Sequence, residues 1–324
     1  MKKKCYQIFI LALLVLSVTP AISGELKHVT FRSKWVPQSQ FAGFYVAKAK
    51  GFYKDAGLHV EIRPGGPGIS SLENVAAGKD TFTVEWLMNA IALASKGAPI
   101  VNTAQIFQTT GLMLVSLKKS GIEKISQMDG KKVGVWPALF QIPPSMLMKT
   151  NNIRPKLVTQ LFSMDDFING KLDVASAMIY NEYHMVLESG IKAEELNAFH
   201  FKDYGLNFPD DGIYVNKNTI EKDPELVRSF TKASIKGWIY AINNPEETVA
   251  IVMDVIKEAN TGTTEKHQQT MLQEVAKLIL YKEGINNIGF LSDKTFEFIY
   301  DSLKNSKMID KPVQFVDFYR PTYK

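Results

Sequence analysis

The chain has 324 residues, of which 45% are hydrophobic and 22% are charged, and its formal net charge is +5. These values are typical of folded proteins, and they exclude disordered and collagen-like chains. The length allows two modest domains rather than one.

The N-terminal segment, MKKKCYQIFILALLVLSVTPAIS, combines three lysines, an apolar stretch from Ile8 to Val18, and small residues before and at Ser23. This pattern is typical of a secretory signal peptide covering residues 1–23, and we expect cleavage after Ser23. A retained membrane anchor is the alternative, but about eleven apolar residues fall short of the roughly 20 that cross a hydrocarbon core. No Leu-x-Gly/Ala-Cys motif follows the apolar stretch, so we expect a periplasmic protein without a lipid anchor.

The single cysteine, Cys5, lies within this segment. The mature chain would therefore contain no thiol, which excludes disulfides, thiolate catalysis and metal sites with cysteine ligands. Removal of the segment also removes three lysines and no acid, which lowers the formal charge from +5 to +2. A charge so close to neutral does not favour binding to nucleic acid or to an anionic membrane.

Short strand patterns alternate with helix patterns along the mature chain. The first half predicts strands at 28–36, 58–62 and 81–85, and helices at 41–51 and 86–97. After Gly121 the same order restarts, with strands predicted at 131–136, 156–162 and 173–180 and a helix at 143–151. This alternation predicts an α/β protein with parallel sheets and helices on both faces.

Two segments of the chain share one pattern, in which Gly-Lys is followed by an acidic residue, an apolar strand and then a glutamate. The segments are GKDTFTVEW (78–86) and GKLDVASAMIYNE (170–182). If the similarity is not due to chance, Glu85 and Glu182 hold equivalent positions at the carboxyl ends of strands in two domains. Ligands bind at that edge of open parallel sheets, so the pattern predicts a cleft between the domains.

A local alternative explains the second glutamate equally well. Asn181 suits the N-cap of a following helix, because its side-chain oxygen can accept a hydrogen bond from an early helix N–H. Glu182 would then lie in the first turn, where the helix dipole favours its charged form. A helix start alone would account for both residues without any ligand.

Three segments of the sequence, 34–66, 120–136 and 176–190, resemble the thiamine-pyrimidine-synthase-like family of periplasmic substrate-binding proteins, which includes formylaminopyrimidine receptors. The resemblance implies the type II periplasmic-binding-protein fold, in which two lobes enclose a ligand cleft and the chain crosses between them twice. We place the crossings near Leu114–Leu117 and Asp211–Tyr214. Lobe 1 would then comprise 24–115 and 214–324, and lobe 2 would comprise 116–213.

The same family contains an enzyme branch that makes the thiamine pyrimidine by consuming one of its own histidines, with iron. In that branch the histidine follows a Trp-x-Pro segment, where this chain has Phe41, and a cysteine cluster is also present. Neither feature occurs in the mature chain, and no nucleophile elbow or phosphate-binding glycine motif is found. We therefore expect no enzymatic activity and no cofactor. The histidines show no spacing suited to a metal site: His28, His59, His184, His200 and His267.

The family resemblance and the strand-end positions together predict the ligand site. Aromatic rings there can stack a flat ligand, amides can donate and accept hydrogen bonds, and carboxylates can accept from ligand N–H groups. Core packing is the alternative for each aromatic residue, and we assign Trp238 to the core. The predicted ligand-binding residues are Trp35, Gln38, Gln40, Phe41, Glu85, Trp86, Gln108, Trp136, Gln141, Tyr180, Asn181 and Glu182.

No arginine adjoins these segments closely enough to form a bidentate anion clamp, which disfavours sulfonate, nitrate or phosphate as the ligand. The sequence therefore predicts a periplasmic receptor that closes around a small aromatic heterocycle, either a pyrimidine thiamine precursor or a flavin-like ring. Its expected partners are the permease and ATPase of an ABC importer, and we expect a monomer. Two alternatives stay open: a sensory module that reports to a signalling protein, and a pyrimidine-forming enzyme.

Overall fold

The computed structural model describes residues 25–323. The predicted signal peptide and its cleavage site after Ser23 lie outside this range. Among the described residues, no helix is both long enough and apolar enough to cross a bilayer.

Ten strands, thirteen α-helices and seven short 3₁₀ helices make up the regular structure of residues 25–323. The strands are β1 (Lys27–Arg32), β2 (Leu58–Arg63), β3 (Phe82–Trp86), β4 (Ile100–Gln105), β5 (Leu112–Leu117), β6 (Lys132–Val135), β7 (Lys156–Thr159), β8 (Val174–Met178), β9 (Leu196–His200) and β10 (Asp211–Asn216). The helices are α1 (Ala42–Ala49), α2 (Phe52–Asp55), α3 (Ser71–Ala76), α4 (Leu87–Ser95), α5 (Ile142–Thr150), α6 (Asp165–Ile168), α7 (Glu182–Glu188), α8 (Lys217–Lys222), α9 (Pro224–Asn243), α10 (Pro245–Glu258), α11 (Glu265–Ile279), α12 (Asp293–Asn305) and α13 (Phe315–Phe318).

The strands form two five-stranded sheets with the same plan, in the orders β2-β1-β3-β10-β4 and β7-β6-β8-β5-β9. In the first sheet β1 is parallel to β2 and β3, and β10 is antiparallel to its neighbours β3 and β4. In the second sheet β6 is parallel to β7 and β8, and β5 is antiparallel to β8 and β9. The predicted α/β fold with two lobes is confirmed, and each lobe is built on one sheet.

The repeated pattern noted in the sequence corresponds to β3 and β8, which hold the same position in their sheets. The two glutamates are nevertheless not equivalent. Glu85 is the penultimate residue of β3, whereas Glu182 lies beyond β8 as the first residue of α7. The proposed equivalence of the glutamates is therefore wrong, because helix α4 begins immediately after β3 while three residues separate β8 from α7.

The chain passes from the first sheet to the second between Gln105 and Leu112, and it returns between His200 and Asp211. The crossings predicted at Leu114–Leu117 and Asp211–Tyr214 instead lie inside β5 and β10. Both of these strands pair with neighbours on either side from their first residues, so each crossing is complete before the strand begins. The exact limits of the two domains stay a prediction.

Close packing of α1 against α9 anchors the first lobe. A Cβ atom on Gly43 would lie 2.3 Å from the Trp238 ring, and one on Gly237 would lie 2.0 Å from the carbonyl oxygen of Gly43. Both positions therefore require glycine, because any side chain would force the helices apart. Trp238 is fully buried between them, as its assignment to the core predicted.

Candidate ligand-binding site

The loop after β1 brings the first site residues to the cleft between the lobes. The strand predicted over 28–36 ends at Arg32, because the chain turns there. The Ser33 hydroxyl donates to the Trp35 carbonyl oxygen (2.8 Å), and the Gly65 N–H donates to the same oxygen (3.1 Å). Lys34, on this loop, forms an ion pair with Asp211 at the start of β10, and its ammonium lies 4.6 Å from the centre of the Trp86 ring.

A chain of buried polar side chains extends from this ion pair. The Gln40 amide donates to Asp211 Oδ2 (2.9 Å), and the Gln38 amide donates to Gln40 Oε1 (2.6 Å). Gln38, Gln40 and Asp211 are all buried. Burial raises the pKa of Asp211, whereas Lys34 and the Gln40 amide lower it. Two glutamines predicted to bind ligand thus position the Asp211 carboxylate in this structure.

Carboxyl groups outnumber cations around Tyr180. Burial raises the pKa of Tyr180 well above its ordinary value, and the negative charges of Asp210 and Asp211, followed by Glu182 and Glu85, raise it further. The residues that supply these charges come from both lobes, so buried Tyr180 lies where charged groups of the two lobes approach each other. Lys34 is the cation that lowers the pKa values of Glu85, Asp210 and Asp211.

Asp210 ties the two crossing segments together. Its carboxyl accepts hydrogen bonds from the Thr110 hydroxyl (3.1 Å) and from the Gly111 N–H (2.9 Å), both on the outward crossing. Burial raises the pKa of Asp210 to about 7; Lys34 lowers it and the neighbouring Asp211 raises it. This carboxyl therefore titrates in the neutral range at the point where the lobes join.

Glu85 and Glu182 differ in how far their side chains are exposed. Glu85 keeps part of its surface exposed and accepts from the Trp86 N–H (2.9 Å), the Asn89 amide (3.2 Å) and the Ser71 hydroxyl (3.3 Å). Glu182 is buried, and its two oxygens accept from the Met178 N–H (2.9 Å) and the Asn181 amide (2.8 Å). Burial raises the pKa values of both glutamates.

Asn181 holds the predicted N-cap position of helix α7, but the predicted hydrogen bond from the helix backbone to its side chain is absent. Its oxygen lies 3.0 Å from His267 Nε2 instead. Burial is the largest influence on the pKa of Glu182 and raises it, whereas the N–H groups of Met178 and Glu182 itself lower it.

Aromatic side chains bridge the lobes at one end of the cleft. The Trp35 ring lies 4.5 Å from Phe162, which follows β7 in the second lobe, and the Trp86 ring lies 4.3 Å from Phe140. Trp136, at the end of β6, also contacts Phe140. The indole N–H groups of Trp86 and Trp136 are buried, and neither has a hydrogen-bond partner within residues 25–323.

Polar side chains bridge the lobes at the other end. His267, on α11 of the first lobe, lies 2.9 Å from Glu188 Oε1 and 3.0 Å from Asn181 Oδ1 through its two ring nitrogens. Beside this contact is a cavity of about 260 Å³. Gln38 and Asn181, both predicted site residues, lie on its wall from opposite lobes.

Three of the predicted site residues lie away from the cleft contacts described above. Phe41 is fully buried in the hydrophobic core. Gln108 lies on the outward crossing, where its amide donates to the Gln105 carbonyl and its oxygen accepts from Asn287. Gln141 is exposed at the end of a short turn, Ala138–Gln141. Their assignment as ligand contacts remains a prediction that this geometry does not favour.

Sequence reasoning missed residues that the structure places in the cleft or at its lobe contacts. The acidic pair Asp210-Asp211 could have been noticed, because it adjoins the predicted crossing at Asp211–Tyr214. Lys34 directly precedes Trp35 and could have been found in the same way. The other three reach the cleft only through tertiary packing and carry no local signal: Phe140, Phe162 and His267.

Comparison with known proteins gives the chain its family. The family described as NMT1/THI5 like matches residues 38–248. The chain belongs to this NMT1/THI5-like family. The family resemblance seen in the sequence is thereby confirmed.

Three curated relatives illustrate the range of this family. The riboflavin-binding protein RibY of Chloroflexus aurantiacus is 24% identical, with 79% of this chain and 74% of the relative covered. A formylaminopyrimidine-binding protein of Halalkalibacterium halodurans is 23% identical, with 75% and 74% covered. The 4-amino-5-hydroxymethyl-2-methylpyrimidine phosphate synthase THI11 of Saccharomyces cerevisiae is 22% identical, with 74% and 75% covered. The names of these relatives thus include both binding proteins and synthases.

Solved structures agree on the fold. A periplasmic sulfonate-binding protein, SsuA, from Methylobacillus flagellatus superposes with a TM-score of 0.68 at 15% identity, covering 92% of this chain and 93% of that one. The ligand-binding component of an ABC-type import system from Staphylococcus aureus gives a TM-score of 0.66 at 12% identity, covering 92% and 98%. The architecture is that of ABC solute-binding proteins.

Proposed function

We propose that this family member is a periplasmic receptor that captures a small aromatic heterocycle between its lobes for an ABC importer. The observation that carries the proposal is the composition of the cleft. The charges of four carboxyl groups raise the pKa of Tyr180. One lysine, Lys34, lowers the pKa values of three of these carboxyl groups. Indole rings from both lobes border this group. Such a site suits a flat ring that carries N–H donors, because carboxylates accept hydrogen bonds and repel anions.

The acidic surroundings also argue against an anionic ligand. Lys34, which lowers the pKa values of three of these carboxyl groups, is already paired with Asp211. Sulfonates would therefore meet an excess of negative charge here, even though the fold matches that of a sulfonate receptor. Ligand class in this family of folds thus depends on the side chains in the cleft rather than on the architecture.

The cavity beside His267 is small, and it is lined from both lobes but not by the four carboxyl groups around Tyr180. Ligand pockets for drug-sized molecules span roughly 300–1,000 Å³. The cavity between Gln38 and Asn181 measures about 260 Å³, which is below that range. Of the ligand types named for the relatives, a substituted aminopyrimidine suits this volume better than a three-ring flavin.

Closure supplies the signal in the proposed function, and no bond is made or broken. The ligand would contact both lobes and so favour the closed form over the open one. The importer's permease and ATPase would recognise that closed form. The receptor would act as a monomer, without metal or cofactor.

Mass spectrometry and calorimetry test this proposal. Protein purified without added ligand is denatured, and the released small molecules are identified; we expect a nitrogen-containing aromatic ring. Calorimetric titration should then show saturable 1:1 binding of 4-amino-2-methylpyrimidine or a close derivative. Methanesulfonate is the matched control and should not bind. Binding of the sulfonate in preference to the pyrimidine would overturn the ligand class.

The names of the synthases among the relatives keep one alternative function open. The family resemblance implies that Phe41 stands where the enzyme branch has its reactive histidine, and phenylalanine cannot supply the nitrogen atoms of a histidine. We therefore expect no pyrimidine product when the purified protein is incubated with iron(II), and no change in its intact mass. Accumulation of a pyrimidine together with loss of mass from one histidine would establish the synthase function instead.

A further inference from the structure

Phe140 holds an unusual position, because its ring contacts tryptophans from both lobes. It lies edge-on to Trp86 of the first lobe, with ring centres 4.3 Å apart and an interplanar angle of 86°. It also lies edge-on to Trp136 of its own lobe, at 6.3 Å and 82°. The phenyl ring therefore packs on both indoles at the aromatic end of the cleft.

Both tryptophans carry an indole N–H donor to which Phe140 offers no acceptor. Trp86 is 7% exposed and Trp136 is 9% exposed, and the indole N–H of each is buried without a partner among the described residues. Buried donors almost always have a partner, since leaving one unpaired is unfavourable. A phenylalanine side chain has no acceptor atom to offer. A ring with carbonyl oxygens or ring nitrogens at its edge could accept from both.

The turn that carries Phe140 is weakly held in its present conformation. Ala138 has a φ of 60°, a left-handed value that is uncommon for a residue with a Cβ atom. Pro137, Ala138 and Gln141 are exposed, and no side chain caps the turn. A small rotation of the turn would therefore relieve backbone strain and withdraw Phe140 without disturbing the buried strands.

We propose that Phe140 and a flat ligand ring compete for the same place between Trp86 and Trp136, so that Phe140 limits the number of rings the cleft accepts. This inference rests on the proposed function. With Phe140 in place, a one-ring ligand occupies the cavity beside His267. When the turn moves outward, a planar heterocycle of two or three rings can extend between the indoles and accept from their N–H groups.

Calorimetric titration of Phe140→Ala, Phe140→Leu and Leu139→Ala tests the competition, with riboflavin and 4-amino-2-methylpyrimidine as probes. Edge-to-face aromatic pairs of this kind correspond to about a 2- to 10-fold change in an equilibrium constant. We expect Phe140→Ala to bind riboflavin about 2- to 10-fold more tightly and the pyrimidine equally well. Phe140→Leu should be intermediate. Leu139→Ala, a partly buried neighbour on the same turn, should leave both affinities unchanged.

Each failure of this experiment has its own meaning. Weaker or unchanged riboflavin binding by Phe140→Ala, with the pyrimidine still bound, overturns the inference and leaves the proposed function intact. Failure of both probes to bind any variant rejects the proposed ligand class, and the inference with it.

A second measurement needs no ligand. Removal of the Phe140 ring should admit water to the two indoles, shifting tryptophan emission to longer wavelength and increasing its quenching by acrylamide. Leu139→Ala should not change the emission. Unchanged emission from Phe140→Ala would show that its ring does not cover Trp86 and Trp136, which would overturn the inference independently of any ligand.

Discussion

The two ends of the cleft join the lobes by different means. At one end, the contacts are aromatic: Trp35 packs on Phe162, and Trp86 packs on Phe140. At the other end, His267 forms two polar contacts with Asn181 and Glu188. Aromatic contacts tolerate exchange of one ring for another, whereas hydrogen bonds require particular atoms at particular distances. In the proposed function, the aromatic end would therefore admit the ligand and the polar end would hold the closed form.

The buried chain from Lys34 through Asp211 and Gln40 to Gln38 connects these two ends. It belongs to the first lobe and fixes the cleft wall on that side. Because these side chains are hydrogen-bonded or ion-paired with one another, the wall is already formed before a ligand binds. The two ends can then differ in chemistry while sharing one rigid surface.

The largest effect should come from breaking this connecting chain. Asp211→Ala leaves the Lys34 ammonium buried without its partner and frees the Gln40 amide, so unfolding should become easier by about 3–5 kcal/mol. Denaturant unfolding followed by circular dichroism measures the loss. Asp166→Ala is the matched control, because Asp166 pairs with Lys171 on the surface and its loss should cost about 1 kcal/mol or less. Equal losses in the two variants would show that the chain does not stabilise the wall.

Glu182→Gln should have the next largest effect, on stability rather than on affinity. The carboxylate accepts from the Met178 N–H and the Asn181 amide, and a glutamine would present its own amide donor to one of these donors. We expect a loss of about 1.5–3 kcal/mol in the free energy of unfolding. Thermal melting and calorimetric titration, performed together, separate the two possible roles.

Glu85→Gln is the natural comparison, since Glu85 keeps exposed surface that a ligand N–H could reach. We expect this variant to lose affinity for the pyrimidine probe and little stability. The glutamine oxygen can still accept from the Trp86 N–H and the Asn89 amide, and its amide can donate to the Ser71 hydroxyl. If Glu182→Gln instead lost affinity with unchanged stability, Glu182 would be the ligand's acceptor, and the distinction drawn between the two glutamates would be wrong.

The fold could be predicted from the sequence to a large extent, because it depends on local patterns. Apolar strands followed by glycine-ended helices specify the parallel parts of both sheets. The crossings were misplaced by a few residues, since β5 and β10 carry the same apolar pattern as the strands that stay within one lobe. Nothing in that pattern shows where the chain passes from one sheet to the other.

The site was less predictable, because its members meet only in the folded chain. Trp35, Trp86 and Trp136 were predicted from their places at strand ends. Trp35 and Trp86 contact rings of the other lobe, and Trp136 contacts Phe140, the ring on which Trp86 packs. Asn181 was found, but its partner His267 is 86 residues away in the chain. A contact at that separation leaves no periodic signal in the sequence.

His267→Ala should weaken the polar end of the cleft and leave the aromatic end unchanged. The two contacts to Asn181 and Glu188 exist only when the lobes are together, so their loss disfavours closure by about 1–2 kcal/mol. We expect the pyrimidine probe to bind about 5- to 30-fold more weakly. Tryptophan emission should not change.

His59→Ala provides the control, because His59 is exposed on β2 in the same lobe. X-ray scattering adds a direct view of closure: ligand-free His267→Ala should have a larger radius of gyration than the parent protein. An unaltered affinity and radius would mean that the polar contacts do not hold the lobes together.

The smallest effect concerns pH and the crossing segments between the two ends. Asp210 has a pKa raised by burial to about 7, far above the value of about 3.8 expected in the unfolded chain. The folded protein therefore holds a proton that the unfolded chain has released, so stability falls as pH rises from about 4 to about 7 and levels off above that. Between pH 6 and 8 the contribution of Asp210 is about 1 kcal/mol. Thermal melting across this range should show a decline that Asp210→Asn reduces, because asparagine does not titrate. If the slopes of the two proteins coincide, Asp210 stays ionised throughout, and the hydrogen bonds from Thr110 and Gly111 hold a charged rather than a neutral group where the lobes join.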